Sequence, residues 1–134
     1  MSNKDLVLYE DLKNGVGLVK LNRPERLNAI TPALSARLKE ILDEACLDDS
    51  IKVIVLTGEG RGFTAGADMD GLASTSEGKS DASEQSEDKE PWKGFSYVRN
   101  LDKPVIAAIN GPAAGVGFIL SLYCDIRFAS ETAV

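Results

Sequence analysis

The sequence predicts an α/β fold, and three observations predict it. Two nearly continuous apolar runs, Lys52-Val53-Ile54-Val55-Leu56-Thr57 and Pro104-Val105-Ile106-Ala107-Ala108-Ile109, read as buried strands. Between the first hairpin-like segment and run 52–57, Leu34, Leu38, Ile41, Leu42 and Ala45 recur at the helical period. Each apolar run leads into a segment of small residues: Gly62-Phe63-Thr64-Ala65-Gly66-Ala67-Asp68-Met69 after the first, Asn110-Gly111-Pro112-Ala113-Ala114-Gly115-Val116-Gly117-Phe118 after the second. Strands that alternate with helices imply parallel pairing and a right-handed crossover.

The elements follow in order. Leu6-Val7-Leu8-Tyr9 and Val16-Gly17-Leu18-Val19-Lys20-Leu21 read as a hairpin turned by 11–15, with Asn14-Gly15 as the turn signal. Residues 22–28 form a loop. Thr31 before Pro32 is an N-cap followed by proline at the first helical position, and the helix runs to Asp48-Asp49-Ser50. Strand 52–57 is apolar enough to be covered on both faces. Residues 73–90 are Ser, Glu, Asp, Lys and Gly with almost no apolar residue, which predicts a flexible surface insertion; a lid over a site is the sharper alternative. Residues 91–101 read as a short helix whose Trp92 and Phe95 face the core. Strand 104–109, a helix over 115–123 and a strand beginning at Asp125-Ile126-Arg127-Phe128-Ala129 complete the pass. The whole, 1–134, reads as the N-terminal portion of one longer domain.

Composition excludes several functions. A chain of 134 residues with 43% apolar content can bury one modest core. No apolar run is long enough to span a membrane, and Met1-Ser2-Asn3-Lys4-Asp5-Leu6 has no signal-peptide core, so the expected location is cytoplasmic. Cys46 and Cys124 are then reduced core residues. The net charge of −6 argues against nonspecific nucleic-acid binding but leaves room for an anionic small ligand held by backbone N–H groups. With no histidine, a Ser-His-Asp or Cys-His device within this chain is impossible, and no metal site is expected.

Small residues after a strand let a ligand approach and leave backbone N–H groups unshielded. Two such loops aimed at one oxygen make an oxyanion hole, which stabilises negative charge developing on a carbonyl. Simpler readings stand beside this one. Ala65-Gly66-Ala67 alone is a tight turn, and Gly115-Val116-Gly117 alone is close helix–sheet packing. Arg26 alone is a solvated cation, Asp68 a brace for its own loop, and Asp125 a structural hydrogen-bonding group. Gly58, Gly60 and Gly62 have the spacing G-x-G-x-G, not the G-x-G-x-x-G of a dinucleotide fold, and no helix opens there.

The motifs 17–24 (Gly-Leu-Val-Lys-Leu-Asn-Arg-Pro), Leu27-Asn28-Ala29, 62–68, Lys103-Pro104-Val105-Ile106-Ala107-Ala108-Ile109-Asn110-Gly111 and Cys124-Asp125-Ile126-Arg127 together resemble the crotonase superfamily, the enoyl-CoA hydratase/isomerase family. The likeness covers nearly the whole chain apart from 73–90. It implies a spiral of ββα units, incomplete here, and an acyl-CoA thioester as ligand with no other cofactor. It implies that the N–H groups of Ala67 and Val116 form the hole. Arg26, Leu27 and Ala29 match the loop along the CoA phosphates and adenine. Ala65, Asp68 and Met69 match the segment contacting adenine and pantetheine, and Gly115 is a further substrate-binding position. It also implies a homo-oligomer, a trimer or hexamer. Where hydratases of the family carry a glutamate on the helix after the second loop, this chain has Ile119. The resemblance therefore favours an enoyl-CoA double-bond isomerase whose catalytic carboxylate lies beyond residue 134. A hydratase, or a protein that binds acyl-CoA or a subunit without chemistry, are the alternatives.

Overall fold

The computed structural model describes residues 2–70 and 91–133, with side chains left undescribed at 91–93. The predicted insertion at 73–90 and the Trp92 side chain lie outside them. The sheet has five strands in chain order: β1 (Val7–Asp11), β2 (Val16–Leu21), β3 (Val53–Gly58), β4 (Val105–Ile109) and β5 (Ile126–Ala129). β1 and β2 are the antiparallel hairpin, in register Val7↔Leu21 and Tyr9↔Val19. All later neighbours pair parallel, through Val19↔Leu56, Leu56↔Ala107 and Ala107↔Arg127.

Helix α1 (Pro32–Leu47) makes the crossover between β2 and β3. Thr31 Oγ1 accepts from Leu34 N at 3.1 Å, so the predicted cap forms. The buried residues of α1 are the five that the period marks: Leu34, Leu38, Ile41, Leu42 and Ala45. They pack with Val7, Val19, Leu21, Ile54, Leu56, Val105 and Ala107 in one continuous core. Cys46 is half-buried and Cys124 buried, and neither is bridged.

Two expectations need correction, and a third is refined. β3 is not covered on both faces: Ile54, Leu56 and Gly58 are buried while Val53, Val55 and Thr57 are half-buried. The described helices lie against one face only, so β2 shows the same alternation. The short helix expected over 91–101 forms at Pro91–Asn100 and is of the 3-10 type, with Phe95 and Val98 in the core. The three-residue spacing of those side chains is the 3-10 repeat. Strands β3, β4 and β5 each begin one residue later than the sequence pattern suggests. At β5 the reason is visible: Asp125 precedes the strand and its carboxylate accepts from Val105 N at 2.8 Å, the structural role anticipated for it.

Candidate active site

At the C-terminal ends of β2, β3 and β4 three loops run side by side. Phe63 N and Thr64 N both donate to Pro112 O at 3.1 Å, and Ala114 N donates to Thr64 O at 3.1 Å. These bonds form a parallel bridge, Thr64↔Ala113. On its other side the same segment bridges the first loop, Ile30↔Ala67, through Ile30 N to Gly66 O (2.7 Å) and Asp68 N to Ile30 O (2.9 Å). Segment 63–68 is thus a short middle strand held from both sides. The G-x-G-x-G reach leads into this extended segment, so the dinucleotide reading has no helix to stand on.

The bridge fixes a direction. A trans peptide is planar, so its C=O and N–H point opposite ways. Gly66 O faces Ile30, and the N–H of Ala67, in the same peptide, must face the other way, toward the third loop, 110–118. Gly66 sits in the left-handed region at φ 94°, where a Cβ would lie 2.8 Å from Ala114 O and 3.6 Å from Gly115 Cα. Segment 63–68 therefore touches the start of helix α2 (Gly115–Tyr123) with nothing between. Among the described residues no acceptor faces the N–H of Ala67 or of Val116.

Helix α2 is built to leave that N–H open. Its N-cap is Ala114, which has no side-chain cap to offer, in contrast to Thr31 on α1. Gly117 N and Phe118 N turn back to Ala114 O, while Gly115 N and Val116 N have no such partner among the described residues. Uncapped first-turn N–H groups and the positive end of the helix dipole suit a developing anion. The Val116 side chain is buried, which anchors the turn.

A pocket of about 230 Å³ opens on the first loop, lined by Arg26, Ala29, Ala65, Ala67, Asp68, Met69 and Asp70. It brings together six residues singled out from the sequence. Leu27 and Gly115 are not among its walls. Leu27 instead supports the loop: its backbone is left-handed (φ 49°), its carbonyl accepts from Ala65 N at 2.9 Å, and its Cδ2 packs over Gly62. Gly115, also left-handed at φ 53°, lies against Gly66 at the meeting of the two donor loops. A second pocket of about 180 Å³, apolar and lined by Ile109, Gly111, Ala113, Phe118, Ala129 and Ala133, flanks the third loop.

Charges in the first pocket are arranged as pairs. Arg23 Nη1 donates to Asp68 Oδ2 at 3.0 Å and to Ala29 O at 2.7 Å, both side chains being mostly buried. Asp68 is thus a pocket wall and a brace at once. Arg26 and Asp70 pair at 3.0 Å but stand open to solvent, so that pair contributes little and its cation can turn to a ligand. Sequence reasoning missed Arg23, Asn28 and Asn110. Asn28 is fully buried, and Nδ2 of Asn110 donates to Gly58 O, Gly60 O and Gly62 O. The only local signals were asparagine's tolerance of left-handed backbone and the Asn110-Gly111 pair. Among the described residues no cluster of His, Cys, Asp or Glu could hold a metal, and no helix is long and apolar enough to cross a membrane.

Comparison with known proteins gives the family and the fold. The model of the enoyl-CoA hydratase/isomerase family matches residues 11–134. A Mycobacterium tuberculosis protein named as a probable enoyl-CoA hydratase is 40% identical over 98% of this chain and 47% of its own length. The 1,2-epoxyphenylacetyl-CoA isomerase of Escherichia coli is 38% identical over 94% of this chain and 48% of its own. The crystal structure of an enoyl-CoA hydratase/isomerase from Xanthobacter autotrophicus superposes with a TM-score of 0.84 at 30% identity, over 96% of this chain and 47% of that one. The chain spans about half the length of the curated relatives it matches. With the loop order, the parallel sheet and the family match in agreement, the chain belongs to the enoyl-CoA hydratase/isomerase family and has the crotonase fold.

Proposed function

We propose that this chain binds an acyl-CoA thioester and polarises its carbonyl between the N–H groups of Ala67 and Val116, in a protein that shifts the double bond of an enoyl-CoA. One observation carries the reading: Ala67, whose N–H is turned from its bridge partner toward the N-terminus of α2, is also a wall of the pocket formed by Arg26, Ala29, Ala65, Asp68 and Met69. Two donors on the thioester oxygen lower the energy of the enolate left when an α or γ proton departs. The ligand's CoA portion lies along Arg26, Ala29 and Met69, and its acyl chain runs toward the apolar pocket at Ala113 and Phe118.

The proton needs a base. Asp68 is paired with Arg23 and Asp70 with Arg26, and Ile119 on α2 is apolar. The base in this proposal is a carboxylate from outside residues 1–134. Isomerisation is favoured over hydration because hydration, as the family resemblance frames it, uses a glutamate where Ile119 stands. Assembly as a homo-oligomer is part of the same proposal, checked by sedimentation.

The test uses the full-length protein that contains residues 1–134 together with the base, and compares 3-enoyl-CoA with crotonyl-CoA, followed by the ultraviolet absorbance of the conjugated thioester. The former should be converted and the latter should not be hydrated above the buffer rate. Ala67→Gly keeps the donor and should retain most turnover. Ala67→Pro removes an N–H that has no partner among the described residues, so it sacrifices no hydrogen bond seen there, yet turnover should fall roughly a hundredfold or more. A folded Ala67→Pro protein with full turnover, or rapid hydration of crotonyl-CoA, would sink the reading.

A further inference from the structure

Asn28 takes no part in the chemistry proposed above, yet it is fully buried one loop away from the donor, with a left-handed backbone at φ 55°. Its Oδ1 accepts from Arg23 N at 2.7 Å. Its Nδ2 donates to Glu59 O and to Gly62 O, each at 3.0 Å. Gly62 O receives a second donor, Nδ2 of Asn110, at 3.2 Å. One asparagine from the first loop and one from the third thus close on the carbonyl where the middle segment begins. Gly58 has to be bare for this: a Cβ there would lie 2.7 Å from Asn28 Nδ2 and would overlap Gly62 O.

The clamp has a consequence five residues on. Loop 27–30 holds segment 65–68 through Leu27 O with Ala65 N, Ile30 N with Gly66 O and Ile30 O with Asp68 N. The second of these bonds aims the Ala67 N–H. Asn28 sits between Leu27 and Ile30, and its side chain ties that loop to the entry of the very segment it aligns. We propose that Asn28 is a positioning residue: its amide sets the direction of the Ala67 donor, a role that rests on the oxyanion-hole reading above.

Asn28→Gly separates the amide from the backbone, because glycine accepts φ 55° as readily as asparagine does. If only the left-handed conformation matters, this variant matches the wild type. If the amide positions the loop, amide exchange at Ala65 and Asp68 speeds up by about tenfold, the effect of one buried hydrogen bond. The second readout uses a conjugated 2,4-dienoyl-CoA, whose absorbance band moves to longer wavelength when its carbonyl is polarised. The wild type should show that shift and Asn28→Gly should lose most of it while still binding the CoA portion. Unchanged exchange and spectrum in Asn28→Gly overturn the positioning role with the hole intact. A wild-type protein that binds the probe without any shift overturns the hole, and this proposal with it. Should Asn28→Gly not fold, Asn28→Asp keeps the acceptor for Arg23 N but turns a carboxylate oxygen toward two carbonyls. Only its protonated form donates, so the shift should return as pH falls through the carboxyl's titration; a pH-independent spectrum overturns the proposal.

Discussion

In the proposed oxyanion hole, Gly66 and Ala67 divide one task between conformation and chemistry. Gly66 supplies the left-handed turn and the bare surface against Ala114 and Gly115; Ala67 supplies the N–H. Neither needs a functional side chain, and a search for catalytic groups by residue type passes over both. Cys124 is the opposite case, a reactive type made inert. Burial pushes its thiol from the ordinary 9.0 up to about 12, with Asp125 adding to the rise and Arg127 opposing it. At pH 8 roughly one part in ten thousand is thiolate, the form that reacts. Iodoacetamide should therefore modify half-buried Cys46 first and reach Cys124 only on unfolding, as peptide mass mapping would read. Equal rates at the two positions in the folded protein would contradict this. A folded pKa raised above the unfolded one means the neutral form is favoured by folding. The stability tied to Cys124 is complete below about pH 9 and declines as pH rises from there toward 12. The buried Tyr97 phenol, raised in the same direction, adds to that alkaline loss.

Elements show which parts of this molecule a sequence reveals. Helix α1 was legible because cap, proline and period are all local, and its buried set came out residue for residue. The six pocket residues were legible because they lie in two short motifs. Arg23, Asn28 and Asn110 were not, because their bonds span long stretches of chain: Asn28 reaches 31 positions to Glu59 and Asn110 reaches 52 to Gly58. Polar contacts of that range leave no periodic trace. Nor could the pattern of β3 tell one covered face from two, since apolar residues occupy both. Helix α2 carries the sharpest element-level test. A Cβ at Gly117 would overlap Thr64 Cγ2 and lie 2.9 Å from Thr64 O, so α2 seats on the middle loop only with glycine there. Gly117→Ala should cost about 1–3 kcal/mol by overpacking, despite alanine's better helix propensity. Because the displaced helix carries the proposed Val116 donor, the function proposed above requires acyl-CoA affinity to fall as well. Thermal melting and titration calorimetry would check both, and a variant as stable as wild type would mean that α2 is not seated as described.

At the scale of the whole molecule, apolar surface is unevenly spread. β5 pairs with β4 alone among the described strands, and all four of its residues are exposed. Phe128 is 66% exposed, and Ile126, Phe118 and Leu122, from β5 and the neighbouring helix α2, are each about half exposed. Scattered exposed apolar residues are ordinary, but a group on one strand and one helix beside an open sheet edge is adhesive. The net charge of −6 opposes self-association by long-range repulsion, which salt screens. The 134-residue chain should therefore bind a hydrophobic dye such as ANS while folded, and should associate more strongly as ionic strength rises. Phe128→Ser should reduce both effects without lowering the melting temperature, since the side chain is not in the core. Leu47, 84% exposed at the end of α1, is the control. Leu47→Ser removes a smaller but more exposed apolar side chain from a different place and should leave dye binding and association unchanged. Sedimentation velocity at low and high salt reads the outcome. If Leu47→Ser and Phe128→Ser behave alike, the adhesion comes from apolar area in general; if only Phe128→Ser changes it, the open edge at β5 is the seat.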